Sequence, residues 1–509
     1  MFKYGESHLT TSKAIAILNG KLPAKLGKEA KQKIEKCHSQ VLEIAKDDKI
    51  VYGINTGFGP LCSEIISSKD TVILQRKLLL SHSVGVGEPI SQDLSKLMLI
   101  LKVHALAQGF SGISMKVLNR ILWHIENDVI PVVPSQGSVG ASGDLAPLSH
   151  LFIPLIGEGK VYYKGKMVST KKALKKEGLE ALDLHPKAGL ALINGTQFIL
   201  AHAVLLTDKF YKCLAHADLI SAMMVDGLKR SAKPYRPELH QTRPFKGNVY
   251  VAKRMTKLLK GSEIMTSHRD CALVQDPYSI RCIPQVHGSS RSAWLHLKEA
   301  VEIELNSVTD NPVIFSTELT ISGGSFHGQP LALPIDYACL AIAELGNISD
   351  RRSYLSLEGT SEDTPKLLMQ NAGLDSGFMI LQYVSAALVS ENKTHCFPAS
   401  ADSIPTSLGQ EDHVSMGSIG ARKALKVCDN LEKVLAIELL CASQAIDFKR
   451  PLKSSKIIDK AHKLIRSKIS HASEDRIFSV DIEKAIKILQ KGKLLEIMDL
   501  KADNEFDNY

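Results

Sequence analysis

The chain has 509 residues, 44% hydrophobic and 23% charged, which excludes a predominantly disordered state and allows a large buried core. Its 63 Lys and Arg against 54 Asp and Glu give a formal charge of +9. These basic residues are densest at 160–188 and after 449 and carry no aromatic interleaving or nucleic-acid motif, so a solvated surface is expected and no nucleic-acid partner.

The nine cysteines run from Cys37 to Cys441 without a CxxC pair, and the eighteen histidines never fall into ligand spacing. Neither a disulfide framework nor a metal site is expected, and a reducing cytoplasmic setting fits. No signal-peptide pattern opens the chain, and no apolar stretch approaches the ~20 residues that span a bilayer, so no membrane partner is expected.

Glycine-rich segments punctuate Gly53 to Ala146 (YGINTGFGP, GVGEP, QGFSG, GSVGASGD), separated by helical patterns over Thr71–Leu80 and Leu94–Ala107. The run GKVYYKGKMVS at 159–169 alternates around Lys164-Gly165 and predicts a surface β-hairpin. From about 190 onward the pattern is helical. Trp294, Leu297, Val301, Leu305 and Val308 line one face of a helix that Asp310-Asn311-Pro312 stops.

Further long helices are predicted around 333–357, 377–393 and 418–447, several apolar on more than one face, as in a bundle or an oligomer interface. The Lys-rich section from Asp459 reads as a peripheral helical cap. The predicted fold is mainly α: an N-terminal domain over 1–195 with a small β-hairpin, then a large central long-helix bundle over 196–509, together one continuous unit.

Common catalytic signatures are missing: there is no HExxH, no phosphate-binding GxxxxGK[ST] and no EF-hand loop. Gly140-Ala141-Ser142-Gly143-Asp144 nearly matches a nucleophile elbow, but the fifth position is Asp144 and no strand is predicted ahead of it. The same residues suit another chemistry. In a tight bend the Gly143 nitrogen can attack the Ala141 carbonyl carbon and close a five-membered ring. Loss of water, including the Ser142 hydroxyl, then leaves an exocyclic methylidene on an imidazolone. Gly143 has no Cβ to obstruct the bend, Ser142 supplies the leaving hydroxyl, and Ala141 leaves room. An isolated triplet of this kind is ordinarily a flexible turn.

The company it keeps is more specific. PSQGSVGASGDLAPLSH (134–150) resembles the prosthetic-group motif of the aromatic amino acid ammonia-lyases, in which Ala-Ser-Gly becomes methylidene-imidazolone (MIO). Further segments resembling that family follow in order: VYGINTGFG (51–59), LSHSVGVGEP (80–89), LINGTQ (192–197), QDPYSIRC (275–282), SVTDNP (307–312), GGSFHGQP (323–330), SGFMILQY (376–383) and PASADSIPTSLGQEDHVSMG (398–417). LSH and QEDHVSMG resemble the branch that acts on histidine rather than on phenylalanine. The GSSxMPxKxN loop of fumarase-type helical lyases is absent.

The resemblance implies non-oxidative loss of ammonia from L-histidine to give trans-urocanate, the first step of histidine degradation. It further implies a homotetramer with shared active sites and an MIO formed from Ala141, Ser142 and Gly143, without metal or nucleotide. Tyr52 carries over as the base for the β-proton, which requires donors or positive charge to stabilise its phenolate. Arg281 carries over as the bidentate grip on the substrate carboxylate, Tyr278 as an aid near the amine and MIO, Gln275 as a pocket amide, and Asn194 as support for MIO and carboxylate. His82 and Glu411 carry over as partners of the substrate imidazole, which has both a donor and an acceptor site, with Phe326 against its ring. Ser325 and Gln329 stand where the family has Asn and Glu, and Leu408-Gly409 is an unfamiliar lead-in to Glu411. A tyrosine or phenylalanine ammonia-lyase, an aminomutase of the same family, and an inactive assembly protein retaining the fold are the alternatives.

Overall fold

Apolar periodicity becomes helix with small shifts at the ends. The computed structural model describes residues 1–46, 51–57, 59, 66, 68–268, 274–359 and 363–498, so Phe58 of the first motif lies outside them. The predicted segments 71–80 and 94–107 form the helices Ser68–His82 and Gln92–Leu106. Ser91 caps the second by accepting from the Leu94 N–H at 3.2 Å, satisfying an amide that has no helical partner. Leu97, Met98, Leu99, Ile100 and Leu101 of that helix are all buried, so it is enclosed on every side.

Trp294, Leu297, Val301 and Leu305 are buried along Ile283–Leu305, but Val308 lies beyond the helix end. The stop residues have a use of their own there: Asp310 pairs with Lys187 at 2.6 Å, and Asn311 donates to Ser322 Oγ at 3.2 Å. The later predicted helices are Gln329–Leu357, Met379–His395 and Gly417–Asp447, and the cap begins with Lys456–Arg466.

The chain is mainly α, with strands confined to small pairings. The predicted hairpin forms from Lys160–Tyr163 and Lys166–Ser169, with Lys164 and Gly165 both at positive φ as a tight two-residue turn demands. Ile130–Pro131 adds a third strand. Three further pairings had no sequence signal, because two to four residues are too few for alternation: Phe2–Tyr4 with Ala24–Leu26, Val86–Pro89 with Pro134–Gln136, and Val313–Ile314 with Thr320–Ile321. A strand does therefore precede Ser142, contrary to expectation. It ends at Gln136, and a loop rather than a sharp strand-to-helix turn follows. Gln329–Leu357 also exceeds the apolar length expected of any segment: 18 of its residues average a hydropathy of 1.4, and 61% of that window is buried within the fold, as in a core helix.

Contacts divide the chain into two compact units. The first comprises Met1–Leu205, Leu297–Asp336 and Pro398–Arg422, and the second Leu206–His296, Tyr337–Phe397 and Lys423–Tyr509. A boundary at 195/196 lies just ahead of the helix Gln197–Gly227, whereas the division falls inside that helix.

In the second unit buried ion pairs tie long helices together. Asp218 faces His287 at 2.8 Å, Arg291 at 3.1 Å and Arg254 at 3.2 Å. Arg352 meets Glu438 through two nitrogens, at 2.5 and 3.0 Å, and Ser349 Oγ also donates to Glu438. Burial alone would raise the Asp218 carboxyl, but the His287 hydrogen bond and the Arg254 and Arg291 charges outweigh it, and the net shift is downward.

Candidate active site

A cavity of about 1400 Å³ opens in the first unit, and six separated segments of the chain converge on it. Ala141 and Ser142 lie on its wall. The backbone there bends so tightly that Ala141 pairs with Gly143, and Gly143 pairs in turn with Gly195. Gly143 has φ +73°, and a Cβ on it would sit 2.1 Å from the Gly195 carbonyl oxygen, so no other residue fits. The Asp144 N–H donates to that same carbonyl at 2.8 Å, and the Gly195 N–H faces the Ser142 carbonyl at 3.5 Å. On the other flank Ser415 Oγ donates to the Gly140 carbonyl at 2.9 Å and the Met416 N–H to Val139 at 2.9 Å.

Asp144 anchors this bend from below. Its carboxylate accepts from Ser138 Oγ at 2.9 Å and from the Phe198 and Ile199 N–H groups at 3.0 Å, the free amides at the start of the helix Gln197–Gly227. Burial raises it to about 7 despite these three donors. Lys102, from Gln92–Leu106, donates to the Asn194 carbonyl and, at 3.4 Å, to Gln197 Oε1. Asn194 is itself buried, follows the short helix Ala188–Ile193, and lines the cavity.

His82, Phe326 and Glu411 also line the cavity. His82 ends the helix Ser68–His82, with Ser81 Oγ 3.0 Å from its Nδ1. Burial lowers its pKa, while a hydrogen bond with the Leu78 backbone and the charge of Glu411 pull it back up. Glu411 accepts from Ser142 Oγ at 2.5 Å and from Thr406 Oγ1 at 2.9 Å, and the backbones of Thr406 and Glu411 pair as well. The intervening turn is strained: Ser407 and Leu408 both have φ +55°, and Leu408 is 95% exposed. Thr406 thus fixes Glu411 whatever the unfamiliar Leu408-Gly409 does at the tip. Ser325 and Gln329 do not line the cavity.

Tyr52 lines the cavity next to Gly53, which adopts φ +73° and approaches Leu190 so closely that a Cβ would sit 2.5 Å from its Cδ2. The Gly59 N–H donates to the Tyr52 hydroxyl at 3.3 Å. The remaining three candidates, Gln275, Tyr278 and Arg281, belong to the second unit and are not cavity-lining residues. Tyr278 is 71% exposed and Gln275 is also exposed, while Arg281 stacks over the Tyr278 ring at 4.7 Å and donates from Nε to the Asp276 carbonyl at 2.7 Å.

Thr406, His327 and His413 are among the polar residues of the site that sequence reasoning misses. Thr406 carries no signal without Glu411's position. His327 and His413 sit inside quoted motifs and line the cavity, their rings stacked 6.0 Å apart and 8° from parallel.

The aromatic amino acid lyase family matches residues 9–467. The chain belongs to that family. It is 44% identical over 485 residues to a histidine ammonia-lyase of Natranaerobius thermophilus, covering 95% of this chain and 96% of that one. It is also 43% identical over 488 residues to the histidine ammonia-lyase of Myxococcus xanthus, covering 96% of each. Among solved structures, the histidine ammonia-lyase of Trypanosoma cruzi superposes with a TM-score of 0.91 at 39% identity, covering 99% of this chain and 96% of that one. A tyrosine aminomutase of Streptomyces globisporus superposes at 0.92 with 31% identity, covering 98% of each.

The aromatic amino acid lyases depend in general on MIO. The residues present here fit it: the Ala141–Gly143 bend is already closed on itself, and the Gly143–Gly195 contact leaves no room for a side chain.

Proposed function

We propose that the chain removes ammonia from L-histidine without oxidation, giving trans-urocanate as the first step of histidine degradation, in the cytoplasm. The carrying observation is the Glu411 carboxylate. It stands in the cavity within hydrogen-bond reach of Ser142, and its charge is felt at His82. A carboxylate and an imidazole together suit a substrate ring that both donates and accepts, and would serve a plain phenyl ring poorly. This favours histidine over tyrosine or phenylalanine, a distinction the fold does not make, because the aminomutase superposes as well as the histidine enzyme.

Ala141, Ser142 and Gly143 would form the MIO, which supplies an electrophile toward the substrate that no ordinary side chain offers. Tyr52 takes the β-proton, and the Gly59 N–H at its hydroxyl stabilises the phenolate this requires. His82 and Glu411 orient the imidazole, Phe326 packs on it, and Asn194 supports the carboxylate end. Gln275, Tyr278 and Arg281 reach the cavity from another copy within a homotetramer, where Arg281 grips the carboxylate. The exposed positions of Gln275 and Tyr278 on the second unit, with Arg281 half-buried beside them, support this arrangement.

The test is incubation with L-histidine, followed at the urocanate absorbance, beside intact-mass measurement. Wild type is expected to turn over histidine and to weigh two waters less than its sequence. Ser142→Ala is expected to lose activity by ~10³-fold or more. Turnover of tyrosine with none of histidine would reverse the substrate assignment, and a full-mass, inert wild-type chain would make this an assembly protein. For the shared site, mixing inactive Ser142→Ala with inactive Arg281→Met before refolding is expected to restore part of the activity.

A further inference from the structure

Beneath the reacting bend lies a cation for which the elimination has no use. Lys102 is 1% exposed, in a helix whose neighbouring Leu99, Ile100, Leu101 and Val103 are all buried. An ammonium in such a place costs several kcal/mol unless it is hydrogen-bonded, so its partners matter. They are the Asn194 carbonyl and Gln197 Oε1. At the other end of that same peptide, the Gly195 N–H faces the Ser142 carbonyl oxygen at 3.5 Å. The result is a relay in which the ammonium polarises one peptide, and that peptide leans on the carbonyl at the centre of the bend.

The ring closure makes this carbonyl important. The Gly143 nitrogen bonds to the Ala141 carbonyl carbon, and the Ala141 oxygen leaves as water with the hydrogens of the Gly143 and Ser142 nitrogens. A second water takes the Ser142 hydroxyl and the Ser142 Cα hydrogen, leaving the Cα–Cβ double bond. The Gly143 nitrogen and the Ser142 Cα both flank the Ser142 carbonyl carbon. Electron density drawn toward that carbonyl oxygen therefore acidifies two of the three hydrogens that must come off, those on the Gly143 nitrogen and the Ser142 Cα.

We propose that Lys102 is a positioning residue for ring formation, its charge acting through the Asn194–Gly195 peptide on the Ser142 carbonyl. The inference rests on the MIO reading under Proposed function. Burial lowers Lys102 to about 7, with Asp310 and Asp144 drawing it up and Lys187 down, so its charge is held by a narrow balance close to the reacting bend.

The experiment measures, by mass, the fraction of full-length chain lacking two waters at fixed times after expression, with circular dichroism as the check on folding. Lys102→Met removes the charge and the donor, Lys102→Gln keeps a donor without the charge, and Lys102→Arg keeps both. The two neutral variants are expected to fold and to mature ~10-fold more slowly, while Lys102→Arg recovers most of the wild-type rate. Full-rate maturation of a folded neutral variant overturns the proposal, as does a folded Lys102→Arg no better than Lys102→Met. Failure of both neutral variants to fold makes Lys102 a structural cation and overturns it equally. A wild-type chain of full mass would instead sink the MIO reading itself, which keeps the two failures distinct.

Discussion

Each unit buries a group of charges, and the two groups are matched differently. In the second unit Asp218 faces two guanidiniums and an imidazole, and Glu438 faces Arg352. In the first unit Asp144 receives a serine hydroxyl and two backbone amides, and Lys102 meets a carbonyl and a side-chain amide. Desolvation acts on both carboxylates alike, yet Asp218 ends below its usual range and Asp144 rises to about 7. The partner's charge decides the outcome. A charge met by an opposite charge fastens helices. A charge met only by dipoles is left close to a change of protonation, and Asp144 and Lys102 lie under the residues with chemistry to do. Lys187 with Asp310 is a fully paired exception among the described residues of the first unit.

The strongest way to break this contrast is in the second unit. Glu438→Gln leaves the buried Arg352 without its counter-charge and is expected to cost ~3–5 kcal/mol of stability, read by thermal or denaturant unfolding, while activity per folded molecule is retained. Unchanged stability would remove the distinction between fastening and functional charges.

In the cavity, Glu411→Gln keeps the side-chain shape and removes the charge. An expected loss of ~2–3 kcal/mol in kcat/KM for histidine, about 10²-fold, with unfolding unchanged, would sharpen the contrast. An equal loss for a substrate without an imidazole would place Glu411 outside ring recognition.

The smallest effect is a difference in pH slope. The folded chain holds the Asp144 proton more tightly than the unfolded one, so the stability it confers is full below about 3.8 and lost as pH rises to about 7. Asp218 behaves oppositely: its contribution is present above 3.8 and lost as pH falls through its lowered folded value. Asp144→Asn should therefore lose stability relative to wild type near pH 4 and recover toward pH 7, by on the order of 1 kcal/mol or more. Calorimetry of both proteins at the two ends of that window checks the sign, and a constant difference would refute it.

Much of the architecture was written in residue spacing. The face through Trp294, Leu297, Val301 and Leu305 and the turn at Lys164-Gly165 needed no tertiary information. The return of residues 297–336 and 398–422 to the unit that opens the chain left no such trace, because which stretches reunite is settled by packing across hundreds of residues. The same holds for Thr406, meaningful only beside Glu411. Lys102 did leave a faint mark, a single lysine inside LMLILKVHAL, but its acceptor belongs to a loop that spacing cannot place.

The close contact of Gly143 with Gly195 has a bearing on time. The two glycines are far apart in the chain, and their backbones touch only once both loops have docked. A ring that closes in that grip is a permanent stamp of having folded, and it survives later unfolding because its bonds are covalent. The mass of a denatured sample would then count the molecules that had ever reached the native state, a history that most proteins erase when they melt.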